Sequence, residues 1–557
     1  MRVNGAIGQG VLKPRSILAD ISLMAASIRL ATRSDAALWL DLLKAGVGAG
    51  YPAPEVYDPA WIAGELAPQL DRQTWLAEAG GTLLASVSFL KPADANVNPV
   101  ANLGRCLFRP EGLASGAAEE LLGKVKELSG QRAQMAVARV ASAEPRHQRL
   151  FEQFGFGCVG FQPNKHLMPG WQGSLFYVHF AQPLLVRRLP LSETLLSVCE
   201  LGNFVLQSLA LPPLVTVADG ATGYPLQAES SIEEVSFENY QIWRRQAAPR
   251  LWSAEVSAGC NLGYGWLRVT PTGPPLALLA QREGGVSAGL AFIHDSHDRC
   301  LRVVESFHTD DLSPGVMLGH LVKLAQQRFH ASYVEIDILM TATRLMKSAE
   351  QLGFVPVAYL PAFASQPGAL VDVVKMVKLN VACSLPDSEL ARGAGEMVAL
   401  TRRFFEDQGM SVAIVNLLRG LTLFEGLGDG EMRKVARLFQ QKLFRAGETI
   451  FKKGDPGTEA FVVMRGAVEI LLDDPPRPIA TLENGQVLGE QAFLDGAPRT
   501  ATAVASQPSI VLVVQRSTLH ELTQREPHLG MVIMRNIALD LSNKLRRTNA
   551  KLGPATK

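Results

Sequence analysis

The chain has 557 residues, 47% of them hydrophobic and 19% charged, and a formal net charge of +1. That length holds about three domains, and the near-neutral balance gives no general pull toward nucleic acid or anionic membrane. The six cysteines (Cys106, Cys158, Cys199, Cys260, Cys300, Cys383) are far apart and form no CxxC pair. Neither a zinc site nor a disulfide framework is indicated, which fits a reducing cytoplasm. Residues 1–15 lack the block order of a signal peptide. The apolar run Ser16–Ala31 is broken by Asp20 and Arg29 and is too short to cross a bilayer. A cytosolic protein without a membrane partner is expected.

Ile28–Ala31 reads as a strand, and Ser34 suits the N-cap of a helix running to Leu43. Thr74–Leu90 reads as a hairpin turning at Gly80-Gly81, and Asn102–Phe108 as a further strand. Arg109-Pro110-Glu111-Gly112-Leu113-Ala114-Ser115-Gly116 then leads into a helix with Leu121, Leu122, Val125 and Leu128 on one face. A strand, a Gly-containing loop and a helix start make a cradle for an anion. Met135–Val140 is the next strand, and His147–Phe156 a helix closing on a Gly-Phe turn.

The run Arg109-x-x-Gly112-x-Ala114 resembles the loop by which GNAT-type N-acetyltransferases hold the diphosphate of acetyl-CoA. The turn at Gly155-Phe156 resembles the helix-to-strand turn of the same family. The resemblance covers about residues 27–182. It implies a mixed-sheet lobe with acetyl-CoA as co-substrate at Arg109, Gly112, Ala114 and Gly116, and a protein lysine or small amine as acceptor. Members acting on amines often carry a Tyr four residues before that glycine, as general acid. Phe151 stands there, and a phenyl ring has no proton to give, so no catalytic residue is assigned.

Ala349–Pro361 repeats Phe151–Pro163, with Gly353-Phe354 matching Gly155-Phe156. Pro275–Ile293 and Leu301–Phe307 read as a three-stranded meander, and Leu312–Met317 opens a helix to about Phe329. Tyr333–Leu339 and Val371–Val377 follow as strands. This resembles a second acetyltransferase-type lobe over 215–382. Its loop lacks the leading Arg and carries Met317 where a small residue belongs, so a diphosphate would be crowded. Ala349 takes the Tyr position, and this lobe is expected not to bind CoA. The apolar stretch Pro183–Pro213 is expected to be helical and to brace the two lobes. His294-Asp295-Ser296-His297-Asp298 has metal-binding residue types but lies at a hairpin turn and is read as a solvated polar loop; no metal site is expected. Glu305 and Asp310 flank the expected cleft.

Ser384–Gln408 is polar, helical from Ser388 to Phe405, and is followed by an apolar helix Met410–Leu418; 384–416 is expected to be a helical linker. Phe444–Gly457 and Ala460–Gly466 read as short strands separated by Gly turns. In Leu488–Thr502 a Gly489-Glu490 pair opens a helix-length segment, and Arg499 arrives nine residues after Glu490. Free N–H groups and an Arg suit a phosphate, whereas a Glu suits a hydroxyl beside it. A helix Arg516–Arg525 and a long amphipathic helix from about His528 to Leu552 end the chain.

This stretch resembles the phosphate-binding cassette of cyclic nucleotide-binding domains, over roughly 417–552. The resemblance implies a β-roll whose Glu490 holds the ribose 2′-hydroxyl and Arg499 the cyclic phosphate. Gly489, Gln491, Ala492 and Thr500 complete the cassette. The nucleotide is cAMP or cGMP. Transcription factors built on this roll carry a helix-turn-helix behind it, and none fits here, so no nucleic-acid partner is expected. The expected fold is a multidomain α/β or α+β chain: two acetyltransferase-like mixed-sheet lobes, then a β-roll with a long C-terminal helix. The expected function is a cyclic nucleotide-regulated N-acyltransferase-like protein. The alternative is a non-enzymatic cyclic nucleotide-binding regulator whose lobes are scaffold or bind a partner.

Overall fold

The computed structural model describes residues 26–552 apart from 49, 52, 92–99, 169, 181–186, 190–193, 215–221, 248–254, 257–266, 268–272, 283, 367–368, 387–388, 428 and 473–476. The leader and membrane-span readings of residues 1–25 lie outside the described residues. So do parts of the expected brace and the first residues of the expected second lobe. The chain divides into two compact units, Met1–Phe405 and Glu406–Lys557. No helix among the described residues is long and apolar enough to cross a membrane.

The first unit is built on strands β1 (Ser27–Leu30), β2 (Arg72–Ala79), β3 (Thr82–Leu90), β4 (Val100–Phe108), β5 (Met135–Ala141), β6 (Gly157–Met168) and β7 (Gly170–Phe180). A second set follows: β8 (Ser231–Val235), β9 (Leu276–Arg282), β10 (Gly285–Asp295), β11 (Cys300–His308), β12 (Tyr333–Leu339), β13 (Val355–Gln366) and β14 (Ala369–Leu379). All fourteen join one sheet, in the order β1-β2-β3-β4-β5-β7-β6-β13-β14-β12-β11-β10-β9-β8. Read inward from either edge the order is the same, so the internal repeat seen in the sequence is a repeat of topology. Among the named strands, the parallel pair in each half is the fourth strand with the fifth, β4 with β5 and β11 with β12. A parallel pair needs a crossover, and the helices Ala117–Arg132 and Ser313–Gln327 lie in the two crossovers. Of the expected brace, Leu196–Ser208 is helical.

The halves meet where Gly160 of β6 faces Ala358 of β13. A Cβ on Gly160 would lie 2.2 Å from that of Ala358, so only glycine lets the strands approach there. Around this seam the core carries charge. Glu335 of β12 is fully buried and accepts from Gln162 (2.6 Å), Lys165 (3.0 Å) and Arg302, while Lys375 lies 2.6 Å from Asp337. Burial pushes the Glu335 carboxyl upward, but Lys165, Lys375 and Arg302 hold it well below the usual carboxylate range. The 294–298 turn corrects its sequence reading. It is not wholly solvated: Asp298 is buried, 3.1 Å from His166 Nδ1 of β6.

Where two helices were expected around Gln408, one helix runs from Arg392 to Arg419. The second unit then forms two four-stranded sheets from β15 (Gln440–Phe444), β16 (Thr449–Phe451), β17 (Glu459–Arg465), β18 (Val468–Leu472), β19 (Arg477–Leu482), β20 (Val487–Leu488), β21 (Thr502–Ala505) and β22 (Ser509–Gln515). Their orders are β15-β22-β17-β20 and β16-β21-β18-β19. Phe461, Val463, Leu488, Val511 and Val513 from one sheet meet Val468 and Ala503 from the other, the alternation of a roll packed on its inner face. Helices Arg516–Arg525 and Pro527–Leu552 follow, and Leu529 and Ile533 pack with Phe424, Met432 and Phe439.

Candidate functional site

Strand β20 stops at Leu488 because Gly489 takes a left-handed conformation (φ 75°). A six-residue helix, Glu490–Asp495, follows and is closed by Gly496 at φ 74°. The chain then returns through Pro498 to Arg499 and enters β21. Gly489 does more than turn: a Cβ there would lie 2.5 Å from Arg499 Nη1, so its missing side chain is the space the guanidinium fills.

Arg499 is 4% exposed. Its Nη1 donates to the Gly489 carbonyl (2.8 Å) and its Nη2 to the Glu459 carbonyl (2.6 Å). The guanidinium lies 4.4 Å from the Phe451 ring centre and 5.5 Å from that of Phe461. Its buried Nε has no hydrogen-bond partner among the described residues, and no carboxylate there forms an ion pair with it. Burial lowers the pKa of Arg499, with Glu459, Asp455 and Glu490 pulling the other way. A buried cation held only by carbonyl oxygens and ring faces is an expensive arrangement, and an anion would relieve it.

Beside it opens a cavity of about 630 Å³, whose wall brings together all six cassette residues singled out from the sequence: Gly489, Glu490, Gln491, Ala492, Arg499 and Thr500. Ala492 is buried against Gly457, where a Cβ would lie 2.3 Å away, while Gln491 and Thr500 are exposed. Leu421, Phe424 and Phe439 from the segment before the roll, and Ile533 and Ile537 from the long helix, form an apolar wall. Asn536, next to Ile537, donates to the carbonyls of Leu423 (3.2 Å) and Glu425 (2.7 Å), tying the long helix to the turn before the roll. Sequence reasoning missed Phe451, the Glu459 carbonyl and Asn536. No local pattern signals them, since each acts on a residue far along the chain.

The loop named in the first unit is a helical turn, Pro110–Ala114, followed by Gly116 at φ 83° and the helix Ala117–Arg132. Arg109 Nε donates to the Leu83 carbonyl (2.9 Å), and its Nη2 pairs with Asp41. A Cβ on Gly112 would lie 2.5 Å from the Leu84 carbonyl, so this glycine is needed for packing on β3. Gly116 has open space where a Cβ would go. Phe151 is fully buried, with its ring centre 5.1 Å from that of Phe156 and 6.0 Å from that of Tyr177. His147 lies edge-on to Phe108 at 4.9 Å, and burial pushes its imidazole down to about 4, so it is neutral at neutral pH. Of the two acids expected near the second cleft, Glu305 pairs with Arg244, and Asp310 accepts from the Leu312 and Ser313 N–H groups.

A roll of two small sheets, a glycine-opened cassette with a buried Arg, and a helix-walled cavity define a ligand-sensing module. Residues 441–526 match the family model of the cyclic nucleotide-binding domain, and the chain carries such a domain in its second unit. Over 138 residues it is 31% identical to the cyclic AMP receptor protein of Thermus thermophilus, covering 24% of this chain and 62% of that protein. Over 114 residues it is 29% identical to the cGMP-dependent protein kinase egl-4 of Caenorhabditis elegans, covering 20% of this chain and 15% of the kinase. The chain thus spans less than two thirds of either relative. Among solved structures it is similar to a cyclic nucleotide-binding domain from Methylobacillus flagellatus, at 26% identity and a TM-score of 0.25, covering 27% of this chain and 86% of that one. The catabolite activator protein of Thermus thermophilus matches at 30% identity and a TM-score of 0.22, covering 24% and 62%.

Proposed function

We propose that the second unit binds a cyclic nucleotide, with its cyclic phosphate on Arg499 and its ribose 2′-hydroxyl donating to Glu490. The observation that carries this reading is the buried Arg499 guanidinium, paired only with carbonyl oxygens, on the wall of a cavity of about 630 Å³. A phosphate there supplies the missing counter-charge, and the base extends toward the apolar wall of Ile533 and Ile537. The ligand is cAMP or cGMP; the named relatives include a cyclic AMP receptor and a cGMP-dependent kinase.

For the whole chain we propose a cyclic nucleotide-regulated N-acyltransferase-like protein. Its lobes span 27–182 and 215–382, its helical linker 384–416 and its sensor 417–552. Supporting the lobes is the repeated order of the named strands, with the fourth and fifth parallel in each half. Acetyl-CoA would place its diphosphate at Arg109–Gly116 of the first lobe, for transfer to a protein lysine or small amine. Arg109 would have to exchange Asp41 for phosphate. With Phe151 buried and protonless, transfer would rest on positioning of the amine. The rival reading, a sensor whose lobes are scaffold, is favoured by that engagement of Arg109 and by the packing of Gly112. Both readings carry a cytoplasmic location and no nucleic-acid partner. Titration calorimetry of the full chain with cAMP, cGMP and acetyl-CoA separates them: nucleotide binding alone leaves the lobes as scaffold, and binding of neither ligand overturns the proposal.

A further inference from the structure

The two halves of the first unit share a strand order but differ where their fourth and fifth strands part. Pairing of β4 with β5 ends at Leu103 and Ala138, and pairing of β11 with β12 ends at Val303 and Ile336. Beyond that point β12 gains a new neighbour. Val256 forms an antiparallel bridge with Ile338, and the Leu339 N–H donates to the Glu255 carbonyl at 2.8 Å. Among the described residues no backbone segment adds to β5 on the corresponding side.

The crossover end of the second cleft is filled as well. The Pro225 carbonyl lies 2.3 Å from where a Cβ on Gly315 would sit, so the backbone of Tyr224-Pro225 presses on the start of the helix Ser313–Gln327. The Asp310 carboxylate already accepts from the N–H groups of Leu312 (3.0 Å) and Ser313 (2.8 Å). A void of about 20 Å³ is left, lined by Glu255, Val256, His308 and Met317, among others. That is room for about one water.

One carboxylate joins the pieces. Glu255 Oε1 accepts from the Tyr224 hydroxyl at 2.6 Å, and Glu255 Oε2 lies 3.3 Å from His308 Nε2. His308 Nδ1 lies 3.0 Å from the Asp310 carbonyl. The Tyr224 N–H donates to the Ser348 hydroxyl (2.7 Å), and the Arg344 guanidinium, paired with Asp311, sits 4.3 Å from the Tyr224 ring centre.

We propose that the second cleft is closed by the chain's own residues 223–225 and 255–256, with Glu255 as a latch between Tyr224 and His308. The segment takes the place that a ligand's diphosphate and extended arm would take. What the cleft would otherwise hold rests on the acyltransferase reading; the closure itself does not. The second copy of the fold is thus occupied from within.

Hydrogen–deuterium exchange on the full chain tests this, comparing wild type with Glu255→Gln and Tyr224→Phe, alongside an acetyl-CoA titration. The closure predicts that the Leu339 amide is protected in wild type and exchanges about tenfold faster in the latch variants, as loss of a buried hydrogen bond allows. It also predicts that no more than one acetyl-CoA binds per chain. An unprotected Leu339 in wild type, protection unchanged in both variants, or two bound equivalents would overturn it. Absence of any acetyl-CoA binding would sink the acyltransferase reading while a protected Leu339 still upholds the closure. Should a variant not fold, wild-type exchange and stoichiometry decide.

Discussion

At Gly489 one missing side chain serves two ends. The residue turns at φ 75° and leaves room for the Arg499 guanidinium, which a Cβ would meet at 2.5 Å. Gly489→Ala is therefore expected to destabilise the second unit by about 1–3 kcal/mol, from backbone strain and from the displaced Arg. Chemical denaturation checks this, and an unchanged midpoint would contradict it. Glu490 and Arg499 were legible in the sequence because charged residues at a fixed spacing stand out within a short stretch. Phe451 was not, since its partner Arg499 lies in another strand region and only the folded roll brings them together. The first unit offers a second residue-scale test. Arg109 is held by Asp41, whose side chain is 70% exposed. If Arg109 is to meet a diphosphate, Asp41→Ala should tighten acetyl-CoA binding about two- to fivefold, the range of a weak surface pair. Weaker binding in that variant would count against Arg109 as a phosphate ligand.

In strand β12 the element type was legible in the sequence and the burial was not. Tyr333–Leu339 is a strand as its sequence indicates, but Glu335 and Asp337 alternate with apolar residues as on a solvent-facing edge. In the structure all seven positions are buried. The alternation carries no sign of β6, whose Gln162 and Lys165 come from the other half to meet Glu335. Glu335→Ala should cost about 3–5 kcal/mol, because it strands buried cations. The depressed Glu335 contributes stability that is fully present above its unfolded value near 4.5 and is lost as pH falls toward its folded value. Acid denaturation of wild type and variant should therefore converge at low pH, and a constant gap down to pH 2 would contradict the assignment. In the roll, Asn536 binds the long helix to the Leu423–Glu425 turn. Asn536→Leu should lose about 1–3 kcal/mol by leaving two carbonyls unpaired. Guanidinium titration reads the loss.

At the scale of the molecule, the repeat and the roll were both visible in the sequence, as recurring Gly-Phe turns and as short strands punctuated by glycine. The continuity of fourteen strands in one sheet was not, because it depends on the seam at Gly160 and Ala358, where a single glycine decides whether two edges can touch. The packing of Tyr224-Pro225 on Gly315 and the approach of Glu255 to His308 were not legible, because these residues lie far apart in the sequence. A regulated enzyme further requires that ligand in one unit alter affinity in the other, and such coupling is reciprocal. Such regulation presupposes that the second unit senses a cyclic nucleotide through Arg499. Calorimetric titration of the full chain, wild type beside Arg499→Ala, with cAMP and cGMP in turn, tests that directly. Saturable binding in wild type and a loss of about 2–5 kcal/mol in the variant, with the fold retained by circular dichroism, is the predicted result. No binding of either nucleotide at millimolar concentration, or equal binding in the variant, would contradict it.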